Sequence, residues 1–259
     1  MNIIAIIIAR GGSRRVPRKN VADFCGRPLV EWSIIHARAS RCLTDADIYL
    51  STDDDEIAEI GYRNKINIIR RPDWPNPDAM SAVPVYEHAI ETVARLRPVT
   101  HIFSILPTTP CRMPNDLDET LATYQRLKPE FPECREVVTV CADPETVFFR
   151  KEGNIIRFDI WDTRGDLLAS GPNVEIKELS WWRDVAYGSI PNDGEETATE
   201  KSRRFMDREL YYRIGRWFQR WDVDDQETFE LNEFLFERYI LKGRGDSVYW
   251  DYKHGGSNE

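Results

Sequence analysis

Near its amino terminus the chain reads Ile3-Ile4-Ala5-Ile6-Ile7-Ile8-Ala9-Arg10-Gly11-Gly12-Ser13-Arg14-Arg15-Val16-Pro17-Arg18-Lys19-Asn20. The first six residues are apolar and mostly β-branched, the pattern of a strand buried in a parallel sheet. A loop rich in Gly, Arg and Pro follows, up to Gly26. In a doubly wound sheet, ligands sit beyond the carboxyl ends of the strands, where this loop would lie. Gly11 and Gly12 would let backbone N–H groups approach an anion closely. Ser13 adds a hydroxyl, and Arg10, Arg14 and Lys19 add charge suited to phosphate oxygens. The spacing is neither that of a Walker A loop nor that of a dinucleotide fingerprint. A solvated basic turn is the plain alternative, but five cations after a buried strand would repel one another without an anion.

Outward from this stretch, strand and helix patterns alternate. Strands are predicted at 3–8, 47–50, 66–69, 100–106 and 136–141, and helices at 28–39, 82–96, 115–127 and 226–241. Ser51 and Thr52 can cap a helix whose first turn carries Asp53, Asp54, Asp55 and Glu56. The alternation predicts an α/β fold with a doubly wound, mostly parallel sheet. The pattern breaks near residue 143, and turn signals at Gly153, Gly165, Gly171-Pro172 and 191–194 make 143–206 read as an insertion. Residues 1–142 and 207–241 then form one domain, with 242–259 as a frayed tail.

The 259 residues carry 35 Lys and Arg against 44 Asp and Glu, a net charge of −9. Such a balance argues against a nucleic-acid partner, which would require a basic footprint. The first twenty residues nevertheless hold five cations and no acid. The first apolar run is far shorter than a membrane span and lacks the flanks of a signal peptide, so no membrane association is expected. Five cysteines without metal-type spacing suit reduced thiols in the cytoplasm.

Three further stretches carry candidate chemistry. In Trp221-Asp222-Val223-Asp224-Asp225, Asp222 and Asp224 alternate along an extended segment and share a face, which suits Mg²⁺ or Mn²⁺ bound jointly with phosphate oxygens. Alone, these acids could equally be helix caps, as Asp225 is expected to be. Leu106-Pro107-Thr108-Thr109-Pro110-Cys111-Arg112 lies at the same edge as the first loop, and is either a ligand loop or a proline-stiffened turn. Ser81 precedes a helix as cap or ligand contact. A phosphate loop, metal carboxylates and no Walker lysine together suit nucleotidyl transfer from a nucleoside triphosphate. His36, His88, His101 and His254 lack a catalytic partner in sequence and read as structural. Trp161, Trp181, Trp182, Trp217, Trp221 and Trp250 crowd the last hundred residues, as core of the insertion or as a subunit interface.

At these residues the sequence resembles the cytidylyltransferases that activate nonulosonic acids, especially bacterial members acting on pseudaminic- or legionaminic-type sugars. The resemblance rests on residues 8–20, Phe24 to Leu29, Ser51 to Ala58, Arg70-Arg71-Pro72, Asp78 to Ser81, Pro107 to Arg112 and Asp222-Val223-Asp224. It implies a Rossmann-like nucleotidyltransferase fold with an inserted dimerisation segment. CTP would be bound by Arg10, Gly11, Gly12, Ser13, Arg14, Lys19, Asn20, Arg71 and Ser81. Asp222 and Asp224 would hold the metal and, with Arg10 and Lys19, form the catalytic set. Leu106, Thr108, Thr109 and Arg112 would face the sugar, and a homodimer would place 143–206 over the partner's site. Sialic-acid members carry Gln where Leu106 stands, so the resemblance implies a sugar other than N-acetylneuraminate. The alternatives are a nucleotidyltransferase for an octulosonate-type sugar and a catalytically inactive nucleotide-binding subunit.

Overall fold

A computed structural model describes residues 1–13, 15–74, 82–142, 149–152, 155–158, 168–186 and 211–255. Its centre is a seven-stranded sheet of β1 (Ile3–Ile8), β2 (Ile48–Thr52), β3 (Asn67–Arg70), β4 (His101–Ile105), β5 (Glu136–Ala142), β6 (Leu168–Glu178) and β7 (Tyr212–Gly215). The spatial order is β7-β5-β6-β4-β1-β2-β3. β1 pairs in parallel with β2 and β4, β2 with β3, and β7 with β5. β6 is antiparallel to both neighbours, β4 and β5. The chain runs outward from β1 to β2 and β3, then returns to β4 on the other side of β1. That reversal opens a crevice at the carboxyl ends of β1 and β4, the place where ligands bind in such sheets.

Hydrophobic pattern explains the layers. Ile4, Ala5, Ile6 and Ile7 are wholly buried because β1 is covered on both faces. On one face Ala5, Ile7, Leu50, Phe103 and Ile176 pack with Val30 and Ile34 of α1 (Leu29–Ala39), Ile57 of α2 (Asp55–Arg63) and Leu117 of α4 (Asp116–Leu127). On the other, Ile4, Ile6 and Ile102 meet Tyr86, Ile90 and Val93 of α3 (Ala82–Ala94), with Trp181 and Trp182. Each fully buried isoleucine contributes about 1.5–3 kcal/mol. A third cluster joins Phe24, Trp32, Phe229 and Phe236 to Tyr249 and Tyr252, tying α5 (Gln226–Phe236, continued by a wider turn over Glu237–Leu241) and α6 (Ser247–Lys253) to α1.

Three expectations change. Residues 168–178 are not part of a separate insertion, since β6 is an inner strand of the main sheet. Its Gly171-Pro172 reads as a turn, but it falls where the β5–β6 register shifts between Ser170 and Glu175, a bulge that tolerates proline. The segment 242–259 is not simply a tail, because α6 buries Tyr249 and Tyr252. Ser51 and Thr52 end β2 rather than capping α2; the Asp54 side chain is the cap and accepts from Ile57 N at 3.0 Å. The remainder of 143–206, including Trp161, lies outside the described residues, apart from a hairpin of Phe149–Glu152 and Ile155–Phe158 and the turns at Leu179–Trp181 and Trp182–Ala186.

Candidate active site

The loop after β1 folds back on itself at the crevice. Ala9 N donates to Ser51 O at 3.0 Å, extending the β1–β2 pairing. Asn20, buried, donates from Nδ2 to Arg10 O at 2.8 Å, while its Oδ1 is buried with no hydrogen-bond partner among the described residues. Gly11 N donates to Asp53 Oδ1 at 2.9 Å. A Cβ on Gly11 would stand 2.3 Å from Asp54 Oδ2, so only glycine lets the loop lie against β2's end. Arg18 adopts a left-handed backbone at φ 56° and grips Asp54 through two nitrogens, at 2.5 and 3.0 Å, and Glu56 at 2.5 Å. One of the five cations is therefore held by acids that the sequence suggested only as helix-terminus charge. The Arg18 guanidinium holds the Asp54 carboxyl below its ordinary range.

The carboxylates expected to bind metal come to this loop from 200 residues away. Lys19 Nζ donates to Val223 O, and Arg15 stands 3.7 Å from Asp224. Val223 is fully buried while Asp222 and Asp224 are exposed, so the alternation inferred from sequence turns both acids to the open side. Val223 N donates to Thr108 O at 2.7 Å, and the Thr108 side chain hydrogen-bonds Asp222, which docks the segment on the loop after β4. Protein packed behind Asp222 raises its pKa, Thr108 opposes this, and Asp224 adds to the rise. Burial lowers the Lys19 pKa against the attraction of Asp222 and Asp224, with Arg10 and Arg15 lowering it further. Asp225 caps α5, accepting from Thr228 N at 2.9 Å.

Arg71 reaches the crevice from β3. Its Nε donates to Ser51 Oγ at 3.1 Å and a terminal nitrogen to Ser51 O at 2.8 Å, and Asp53 lies 4.0 Å away. Burial lowers its pKa. Arg10 acts electrostatically on both Lys19 and Arg71, so these three cations share one field. Ser13 and Gly12 lie on the same loop, while Arg14 and Ser81 fall outside the described residues.

The expected sugar-facing set divides. Leu106 and Thr108 are part-exposed at the carboxyl end of β4. Arg112 is only 1% exposed and lies beneath the loop. It donates to Leu106 O at 2.8 Å, to Thr109 O at 2.5 Å and to Ser33 Oγ at 2.6 Å. Thr109 is buried as well and donates from Oγ1 to Leu106 O at 3.2 Å. These two residues shape the loop from within, which corrects their assignment as sugar contacts. An arginine in a Pro-rich turn reads the same in sequence whether it points outward or folds under the turn.

Asp222 and Asp224 suit a hard cation. They offer two carboxylates on one exposed face, and among the described residues no third His, Cys, Asp or Glu completes a closed metal cage. Such a pair leaves positions for phosphate oxygens and water, as Mg²⁺ prefers.

A cytidylyltransferase family model matches residues 4–141, more than half of the chain. The chain belongs to the cytidylyltransferase family. Pseudaminic acid cytidylyltransferase of Campylobacter jejuni is 36% identical over 113 residues, covering 42% of this chain and 47% of that protein. CMP-N,N'-diacetyllegionaminic acid synthase of Legionella pneumophila is 32% identical over 131 residues, covering 48% and 54%. N-acylneuraminate cytidylyltransferase B of Danio rerio is 34% identical over 121 residues, covering 45% and 26%. The chain thus spans about half or less of the length of these relatives. In fold, this cytidylyltransferase is similar to a CMP:2-keto-3-deoxy-manno-octonic acid synthetase solved with CTP, with a TM-score of 0.64, 16% identity, and coverage of 93% of this chain and 100% of that one.

Proposed function

We propose that this chain is a CMP-nonulosonate synthetase, transferring CMP from CTP to the anomeric hydroxyl of a nonulosonic acid and releasing pyrophosphate. The observation that carries this reading is the meeting of the basic loop with Asp222-Val223-Asp224 through Lys19 and Val223 O. In this reading, the loop cations serve a triphosphate and the adjoining carboxylates a metal, which is what the contact supports. Relatives that cover part of the chain support the substrate class through their pseudaminic, legionaminic and N-acylneuraminate names.

In this reading, Gly11, Gly12, Ser13 and Arg10 cradle the triphosphate, and Arg71 and Asn20 hold the nucleoside side, Asn20 through its unpartnered Oδ1. Arg14 and Ser81 complete the CTP site as the family resemblance implies. The anomeric oxygen attacks the α-phosphorus, and the bond from that phosphorus to the bridging oxygen of pyrophosphate breaks. Lys19 and Arg10 offset the negative charge that builds on the phosphate oxygens. Asp222 and Asp224 would hold Mg²⁺, which supplies Lewis-acid polarisation of those oxygens. Leu106 and Thr108 border the acceptor. Leu106 lacks the amide that sialic-acid enzymes present there, which supports a pseudaminic- or legionaminic-type acceptor over N-acetylneuraminate. The enzyme would work as a homodimer in the cytoplasm, where its five cysteines would stay reduced.

Pyrophosphate release is the test, with CTP and each other nucleoside triphosphate against a panel of nonulosonic and octulosonic acids. Mg²⁺-dependent release with CTP and a nonulosonic acid is expected, and Asp222→Asn and Asp224→Asn should each lower kcat by about 100-fold or more. Unchanged activity in both variants refutes the metal assignment. Turnover of N-acetylneuraminate equal to that of the other acids refutes the acceptor assignment.

A further inference from the structure

One charged pair is set into the sheet itself. Glu175 and Lys177 lie on β6, an inner strand, and Lys177 Nζ donates to Glu175 Oε2. Lys177 is buried and rests on two indole rings, 4.5 Å from the Trp181 centroid and 5.3 Å from that of Trp182. Across the sheet Glu136 of β5, also buried, stands opposite Lys177 in register. Much of this face is apolar, with Ile4, Ile6 and Ile102 fully buried. A buried ion pair is generally no more stabilising than an apolar pair of the same volume, so stability alone does not account for it.

The pair opens at one place. Glu175 stands opposite Ser104 in the β4–β6 register, two residues before Leu106. Its side chain is 22% exposed, and its second oxygen has no hydrogen bond among the described residues. Ser104 is buried beside it, with its side chain at the Tyr86 phenol. Tyr86 borders the same spot, donating to Ile105 O at 3.4 Å, and its phenol feels both Glu175 and Arg71. Arg71 joins this polar patch to the β1 loop on the β2 side, while Glu175 lies on the β6 side. In the CMP-transfer reading the nucleotide lies over β1 to β3, which leaves the β4–β6 side for the acceptor.

We propose that Glu175, braced by Lys177, is a specificity-determining residue of the acceptor site, accepting a hydrogen bond from a hydroxyl or amide N–H of the sugar. The inference rests on the CMP-transfer reading above. An ionised carboxylate accepts only, so its partner must be a donor. It also repels the sugar's own carboxylate, which sits at the anomeric carbon. Glu175 therefore reads the substituents far from the reacting end. This assigns to β6 the selection among nonulosonic acids that differ in N-acyl and hydroxyl groups.

The test is steady-state kinetics of wild type, Glu175→Gln and the charge-free double variant Glu175→Gln/Lys177→Met, with melting curves for each. The acceptors are the preferred nonulosonic acid and analogues lacking single distal hydroxyl or N–H groups. Acceptor KM should rise about 10- to 100-fold in both variants, while CTP KM stays within about twofold. One deoxy analogue should lose affinity on the wild type but be handled by Glu175→Gln like the parent sugar, the non-additivity of a direct contact. A purely structural pair would leave acceptor KM unchanged in the folded double variant, and that result overturns the proposal. Absence of pyrophosphate release from wild type with every nonulosonic acid is a different failure, and removes the activity on which the proposal stands.

Discussion

Replacing Arg112 by methionine separates a loop brace from a sugar contact. The guanidinium donates to Leu106 O, Thr109 O and Ser33 Oγ, with Thr109 Oγ1 at 3.3 Å. Hydrogen bonds to a charged donor each contribute about 1.5–3 kcal/mol. The Ser33 hydroxyl can turn to another partner, but the two carbonyls cannot, so about 3–6 kcal/mol is lost. Against this, burial has lowered the Arg112 pKa from 12.5 to about 10, a penalty of roughly 3 kcal/mol that methionine relieves. The balance is a loss of up to about 3 kcal/mol, a large part of the ~5–15 kcal/mol that stabilises a typical domain. The melting temperature should fall by up to about 12 °C. Urea unfolding followed by tryptophan fluorescence reads the loss directly. Because Thr108 O holds Val223 N, a slackened loop also moves the metal carboxylates, and KM for CTP should rise with that for the acceptor. Arg112→Lys keeps the charge but not the fork of donors, and should fall between the two. A methionine variant that unfolds at the wild-type urea midpoint, with acceptor KM alone raised, would show that the guanidinium contacts the sugar and that the bracing argument is wrong.

Gly11→Ala would drive a Cβ to 2.3 Å from Asp54 Oδ2 and 2.8 Å from its Cγ. Asp54 cannot swing away, because Arg18 and Ile57 N fix both its oxygens. The clash should cost about 1–3 kcal/mol of stability and raise CTP KM by about tenfold or more, and wild-type values on both counts would refute the close-approach argument. His36 is buried, and burial, together with the nearby Arg112 charge, pushes its pKa well below the usual value, while Nε2 donates to Met113 O at 3.0 Å. As pH falls below about 6.5, only the unfolded chain takes up a proton here, so stability drops by about 1.4 kcal/mol per pH unit until the folded pKa is reached. His36→Gln keeps an N–H donor without the titration, and should flatten the pH dependence of the urea midpoint between pH 6.5 and 5 by one proton's worth; an unchanged slope would refute the assignment.

The legible parts of this molecule are those in which local pattern and tertiary role coincide. β1 reads as buried because its residues are all apolar and mostly β-branched, and it is covered on both faces. The loop after it reads as anion-binding from composition, and the crevice of the sheet lies there. The alternation of Asp222 and Asp224 survives because the buried Val223 between them fixes the phase. β6 was hidden because its Gly171-Pro172 is a turn signal by local rules, and only a bulge against β5 makes it compatible with a strand. Arg112 was misread because direction is a tertiary property, as nothing local distinguishes a guanidinium turned into Leu106 O from one turned into solvent.

Charge was half legible, and the missing half bears on how the site works. The five cations of the first twenty residues suggest a loop waiting for an anion. In the folded chain Arg18 is neutralised by Asp54 and Glu56, which lets the loop form before any ligand arrives. Arg15 and Asp224 stand 3.7 Å apart with side chains 69% and 62% exposed, a surface pair worth little by itself. Such a pair is easily exchanged, so in the proposed reading a cation would take Asp224 and a phosphate Arg15 without first breaking a strong internal bond. The half-buried Arg18 partner Asp54 and the exposed Arg15 partner Asp224 thus divide the loop's charge into a portion that holds the fold and a portion that the proposed reading leaves for substrate.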